Sequence, residues 1–292
     1  MQNKKVLVTG GAGFIGSHVV KQLLARGAHV TVLDNLSTGS LENLQKVKHN
    51  ITFLQGDIRN FQDCLQACRE HSIIFHLAAK ISVPESTKHP EECYDTNIIG
   101  TLHMLEAARQ KNVERFIFSS SAAVYGVQEE ICHENMRCMP SSPYGHSKLI
   151  GEQLCKDFWQ THSLETVCLR YFNVFGAGQN PHGSYAAVVA AFTECMRTNK
   201  PITLFGDGLQ TRDFIAVEKV AAANIDCALA AKDRVAGQVF NIATGSSITL
   251  LALVEQLKQK FPDYKQPILF EPARAGDIKH SRASVKKYEN LI

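Results

Sequence analysis

The 292-residue chain contains no C-x-x-C pair and no H-E-x-x-H run, and its twelve histidines and nine cysteines are scattered. Metal-ligand spacing is therefore missing, and no metal is expected. The thiols Cys64, Cys68, Cys93, Cys132, Cys138, Cys155, Cys168, Cys195 and Cys227 are odd in number and dispersed, which is not a disulfide framework. The one close pair, Cys64 and Cys68, has helical i, i+4 spacing and reads as buried structural cysteine. No run approaches the ~20 uninterrupted apolar residues that a membrane helix requires. The opening MQNKKVLV lacks the apolar core and small-residue cleavage site of a secretory signal, so a cytoplasmic location is expected. Charge of one sign is also scarce. Lys+Arg total 31 against 28 for Asp+Glu, a formal +3, with no basic stripe interleaved with aromatics, which argues against nucleic acid as a partner.

What the chain has instead is alternation. The β-rich runs KVLVTG, HVTVLD, ITFLQGD, SIIFHLAA, RFIFSSS and TVCLRYFNVFG take turns with helix-like stretches such as GFIGSHVVKQLLARG, FQDCLQACREH, NIIGTLHMLEAARQKN and SPYGHSKLIGEQLCKDFWQTH. Near-continuous apolar strands separated by amphipathic helices predict an α/β fold, a doubly wound parallel sheet of Rossmann type. From about Gly176 the texture changes to GAGQNPHG turns and short apolar runs, which predicts a smaller C-terminal substrate-binding region. The expected division is residues 1–172 and 173–292, with GQVFNIATG as one further strand and about 211–243 as the stretch able to pack back on the sheet.

Gly10, Gly13 and Gly16 fall at the junction of the first strand and first helix, where missing Cβ atoms let a pyrophosphate approach the backbone and the helix N-terminus. A tight βα turn without a ligand would use the same residues. Asp34, ending HVTVLD about twenty residues on, shifts the balance, because a carboxylate there can accept from a ribose 2′-hydroxyl and would repel a 2′-phosphate. NAD is thus favoured over NADP. Asp57, in LQGDI, has two readings: a contact to the adenine edge or a turn aspartate.

SPYGHSK places Tyr144 and Lys148 four apart, on one helix face, and FSSSAAVYG ends the preceding strand in serines. A phenol with an ordinary pKa of about 10 is a poor base at neutral pH, but a neighbouring ammonium favours the phenolate. A chance Y-x-x-x-K is common. The glycine turn and the strand-end serine give this one weight.

Together, TGGAGFIGSH, LDNLSTG, GDIR, FHLAA, TNIIGT, FSSSAAVYG, SPYGHSK, LRYFNVFG, GDGLQTRDF and ARAGD resemble the NAD-dependent epimerase/dehydratase family of extended short-chain dehydrogenase/reductases, over nearly the whole chain. Within it they are most similar to the UDP-glucose and UDP-N-acetylglucosamine 4-epimerase branch. The resemblance implies cofactor contacts at Gly10, Gly13, Phe14, Ile15, Gly16, Asp34, Asn35, Asp57, Ile58, Ala78, Ala79 and Asn97, with Phe172 beside the nicotinamide. It implies a catalytic set of Ser121, Tyr144 and Lys148, the lysine also binding nicotinamide ribose. Asn173, Arg212, Arg274 and Asp277 would hold a UDP-sugar, the arginines on pyrophosphate and Asp277 on the uridine ribose. A homodimer through the helices after Asn97 and Tyr144 is implied as well.

Family dehydratases usually carry an acid after the strand-end serine or threonine, and here Ala122 and Ala123 stand in that place. Glu129 and Glu130 come later and read as solvated. With no adjacent general acid, elimination is disfavoured and reversible oxidation at C4 remains. The gate beside the hexose falls on Ser281, small enough for an acetamido group, which leans the substrate toward UDP-GlcNAc/UDP-GalNAc, with UDP-Glc/UDP-Gal also possible. Two alternatives stay open: a nucleotide-sugar 4-ketoreductase, and a non-catalytic dinucleotide-sensing protein.

Overall fold

The computed structural model describes residues 1–181, 188–273 and 279–292. The first half of the chain alternates as its hydrophobic pattern dictates. It runs β1 (Lys5–Thr9), α1 (Phe14–Ala25), β2 (His29–Asp34), β3 (Ile51–Gln55), α2 (Phe61–Ala67), β4 (Ile73–His76), α3 (Val83–Lys88), α4 (Pro90–Tyr94), α5 (Gly100–Gln110), β5 (Arg115–Ser121), α6 (Pro143–His162) and β6 (Glu165–Tyr171). Next come β7 (Asn173–Phe175), α7 (Val188–Arg197), β8 (Ile202–Phe205), β9 (Thr211–Arg212), β10 (Phe214–Ala216), α8 (Val217–Leu229), α9 (Lys232–Val235), β11 (Gln238–Ile242), β12 (Ile248–Thr249), α10 (Leu250–Lys258), β13 (Ile268–Glu271) and α11 (Lys286–Glu289).

Seven strands form one parallel sheet in the order β11-β6-β5-β4-β1-β2-β3. The order reverses at β1, so the crevice beyond the carboxyl ends of β1 and β4 is the topological switch point where such sheets bind ligands. Both faces are covered. On one, α1 and α8 pack over Val6, Val8, Val30, Val32 and Phe75; on the other, α2, α5 and α6 bury Leu7, Leu33, Ile74, Phe116 and Phe118. Double coverage explains why the strands read as continuous apolar runs instead of alternating ones. Cys64 and Cys68 lie in the second of these cores, and all nine cysteines are free thiols.

β11 completes the sheet by pairing with β6, and α8 lies against α1, so chain from beyond β7 returns to the large layer. The remaining elements build a third core from Phe192, Met196, Ile202, Leu204, Leu253, Val254 and Leu257. Its strand pairs are short: β7 with β10, β9 with β12, β8 with β13. Among the described residues no helix is long and apolar enough to cross a membrane.

Candidate active site

At the carboxyl end of β1 the backbone turns through Gly10 at φ +69°, and a Cβ there would lie 2.7 Å from the Ala78 amide nitrogen. A Cβ on Gly16 would collide with the Gly10 carbonyl. Gly10 thus lets the turn lie against the segment after β4, where Ala78 N–H donates to Thr9 Oγ1 at 3.3 Å, and Gly16 lets the start of α1 lie against the turn itself. Gly13 precedes α1 without a side-chain cap, and no acidic residue occupies the helix's first turn, which begins with the half-buried Phe14 and Ile15. The amide groups and positive dipole end are thus left for an external anion, which suits a pyrophosphate. Asp34 is buried and ties β2 to this turn. Its Oδ2 accepts from Ala12 N–H at 2.9 Å and its Oδ1 from Leu36 N–H at 2.8 Å, leaving lone pairs on both oxygens for hydroxyl donors.

Asp57 carries a fuller set of partners. Arg59 forks onto it at 3.0 and 2.7 Å and Asn35 Nδ2 donates at 2.9 Å, so the Arg59 bond holds its carboxyl well below the usual range. The structure thereby joins Asn35 and Asp57 into one rim beside Asp34. Ile58 turns its side chain into the core under that rim, while Ala78 and Ala79 stay half-buried at the end of β4.

The chemistry-bearing groups meet where β5 ends. Ser142 caps α6 by accepting from Gly145 N–H at 3.1 Å, and Pro143 fills the first helical turn, so Tyr144 enters the helix at its first residues. One turn on, Lys148 is only 4% exposed; its Nζ donates to the Ser119 carbonyl at 2.8 Å and lies 6.0 Å from the Tyr144 ring centre. Burial pushes the Lys148 ammonium down to about 8. Burial also pushes the Tyr144 phenol up, against a hydrogen bond with Ser121 that pulls it back. Each charge alone is disfavoured, whereas phenolate and ammonium formed together stabilise one another. Ser121 Oγ also accepts from Ala123 N–H at 3.1 Å, which fixes its direction.

Asn97 is buried at the centre of a single π turn, Asp95–Ile99, inserted between α4 and α5. Its amide clamps the backbone of Lys80, accepting from N–H at 2.8 Å and donating to the carbonyl at 2.9 Å, and it donates to Ser147 Oγ at 2.9 Å. Sequence periodicity predicted a plain helix here. The extra residue in the turn turns Asn97 toward the segment after β4, a common use of π turns at functional sites.

Sequence reasoning also missed His76, which lies between Thr9 Oγ1 (2.8 Å from Nδ1) and Thr101 Oγ1 (3.1 Å from Nε2). Thr101 donates to the Asn97 carbonyl at 2.7 Å, so its oxygen must accept from the ring, which fixes a neutral Nε2–H imidazole. Burial keeps that ring uncharged down to about 3. A histidine ending an apolar strand was the available signal.

On the smaller side, Asn173 opens β7 and donates to the Asp213 carbonyl at 2.9 Å and to Ser281 Oγ at 3.4 Å. Phe172, almost fully buried, packs its ring near Tyr125, with 6.2 Å between centres. Arg212 lies on β9 and, with Phe175, Phe214, Thr244 and Val189, lines a cavity of ≈ 640 Å³. None of Ser121, Tyr144 and Lys148 is among the described residues lining it. Arg274 and Asp277 lie outside the described residues. Among the described residues no group of three or more His, Cys, Asp or Glu is placed to hold a metal ion.

Residues 6–243 match the model of the NAD dependent epimerase/dehydratase family. The chain belongs to that family. It is 36% identical to the putative UDP-glucose 4-epimerase of Methanocaldococcus jannaschii, over 98% of this chain and 92% of that protein. A UDP-N-acetylglucosamine 4-epimerase from Methanobrevibacter ruminantium, solved with UDP-N-acetylmuramic acid, superposes with a TM-score of 0.94 at 37% identity, covering 100% of this chain and 92% of that one. The UDP-glucose 4-epimerase of Thermus thermophilus, solved with NAD, gives 0.89 at 36% identity, covering 98% and 92%. The family's cofactor, NAD, fits the uncapped glycine turn and the carboxylate of Asp34.

Proposed function

We propose that the protein interconverts UDP-hexoses that differ at C4, acting on UDP-GlcNAc and UDP-GalNAc and also on UDP-Glc and UDP-Gal. The observation that carries this reading is the convergence of Ser121, Tyr144 and Lys148 at the end of β5, with Ala122 and Ala123 directly after the serine. That set can hold and move the proton of a carbinol whose hydride would pass to bound NAD, but has no adjacent carboxyl to expel a hydroxyl. The relatives named above, UDP-glucose and UDP-N-acetylglucosamine 4-epimerases, support the same chemistry.

In this reading Tyr144 takes the proton of the sugar 4-hydroxyl while Ser121 hydrogen-bonds the same oxygen. Lys148, anchored on the Ser119 carbonyl, supplies the positive charge that stabilises the phenolate. Bound NAD supplies the hydride acceptor and donor. Tyr144 later returns its proton to the oxygen of the 4-keto sugar after the ring has presented its other face. Asn173 and Arg212, with Arg274 and Asp277, hold the nucleotide while the hexose turns; a guanidinium fork suits a diphosphate better than an ammonium does. The small Ser281 beside Asn173 leaves room for an acetamido group.

We also assign the exposed apolar residues Ile99 and Leu102 near the start of α5, and Ile150 of α6, to a homodimer face. The test of function is direct. Purified protein is assayed for bound NAD and incubated with UDP-GlcNAc and with UDP-Glc, and the C4 epimers are separated. Interconversion without added cofactor is expected. One-way reduction of a 4-keto sugar consuming added NADPH would establish a ketoreductase in its place, and dinucleotide binding with no turnover a sensor.

A further inference from the structure

Directly behind the reacting groups, three consecutive serines of β5 are each engaged by α6. Ser121 meets Tyr144, the Ser119 carbonyl accepts from Lys148, and Ser120 Oγ donates to Glu152 Oε1 at 2.5 Å. Tyr144, Lys148 and Glu152 recur every four residues, so they form one stripe along the helix. Gly151, where a Cβ would collide with the Phe118 ring, allows that stripe to lie close on the strand.

Glu152 is itself gripped by Arg170, at 2.9 and 2.7 Å, and both residues are 4% exposed. Arg170 is the residue paired with Ser120 across β5 and β6, so the carboxylate bridges two neighbouring strands from the helix above. The guanidinium continues to the Tyr125 ring, 4.7 Å from its centre, and Tyr125 closes the turn that follows Ser121. The Tyr125 hydroxyl then donates to Asn241 of β11 at 2.6 Å. The chain on both sides of Ser121 is thereby fixed. Stability alone gives little reason for such a buried pair, since well-packed apolar residues commonly replace one at no cost.

We propose that Glu152 and Arg170 are positioning residues which, through Ser120, fix the strand end carrying Ser121 against the helix face carrying Tyr144 and Lys148. The proposal rests on the epimerase reading for its kinetic consequence, though not for its geometry. Loss of the Ser120 bond lets the two elements slide, and Tyr144 loses the neighbours that ease its ionisation. The negative charge of Glu152 also helps Lys148 keep its proton.

The test compares S120A, S120T and E152Q with wild type as NAD-bound proteins. S120A removes one hydroxyl and leaves the Glu152–Arg170 pair intact. A fall in kcat of about tenfold is expected, with KM within about twofold. S120T, which restores a hydroxyl, should recover most of the rate. E152Q should bring the alkaline fall of kcat to lower pH, because Lys148 then loses its proton sooner. Ultraviolet titration of the Tyr144 phenol, with Y144F as the blank, should move to higher pH in S120A. Wild-type kcat and an unmoved titration in S120A would overturn the proposal, as would an S120T variant no better than S120A or an E152Q profile that stays in place. If wild type fails to interconvert C4 epimers, the epimerase reading falls, and the phenol titration alone decides the positioning role.

Discussion

Ser121 ends a seven-residue strand paired along its whole length with β6, whereas Arg212 stands in a two-residue strand paired with Ile248 and Thr249. Ser121 is thus mounted on a long parallel ladder, with Tyr144 and Lys148 on the 20-residue helix α6 packed against it, whereas Asn173 and Arg212, assigned to the nucleotide, stand on β7 and β9, which pair over two or three residues. A short ladder has few hydrogen bonds to oppose displacement, so local opening there costs little compared with the central sheet. The arrangement matches the tasks proposed for each side. Proton and hydride transfer demand placement within a fraction of an ångström, while a sugar that turns over between half-reactions needs only its nucleotide gripped.

The largest effect that sharpens this contrast is expected at Tyr144. Tyr144→Phe should lower kcat by about 10²–10⁴-fold while bound NAD and the Kd for UDP-sugar change little, as read by turnover and by calorimetry. Arg212→Lys should do the opposite, raising KM about tenfold with kcat nearly constant, because the ammonium keeps the charge but loses the fork. If both substitutions lowered kcat alone, the division between a reacting side and a gripping side would be broken. A subtler outcome is expected at Ser281. Ser281→Tyr should shift the ratio of kcat/KM for UDP-GlcNAc over UDP-Glc about tenfold toward the plain hexose, measured by competition between the two.

The smallest effect concerns stability of the large sheet and is read from the pH dependence of Tm. Neutral His76 resists protonation until about pH 3, while an unfolded histidine takes a proton near 6.5. Unfolded chain therefore binds more protons between those values, so the His76 contribution is complete above pH 6.5 and is lost as pH falls toward 3. His76→Asn should lose less Tm than wild type between pH 6.5 and 4. An equal acid-side loss in both would show that other groups govern it.

Much of this was legible in the chain. The alternation of apolar runs gave the doubly covered parallel sheet, and the glycines fell at a strand–helix junction because no other residue fits the positive φ at Gly10 against Ala78. GQVFNIATG was readable as a strand, and β11 is the edge it forms. The interior partners were not legible. Glu152 sits four residues past Lys148, but its engagement with Ser120 and Arg170 joins residues 32 and 18 apart in sequence.

By itself, the sequence determined what local spacing can determine: which segments form strands or helices, which turn lacks side chains, and that Tyr144 and Lys148 share one helix face. Only the tertiary structure decided what that face meets, that Asn97 turns inward on a π turn, and that Thr9, His76 and Thr101 form a single hydrogen-bonded string with one tautomer. The physical reason is that backbone periodicity is set by neighbours within a few residues, whereas a buried polar group must find its partner wherever packing brings one.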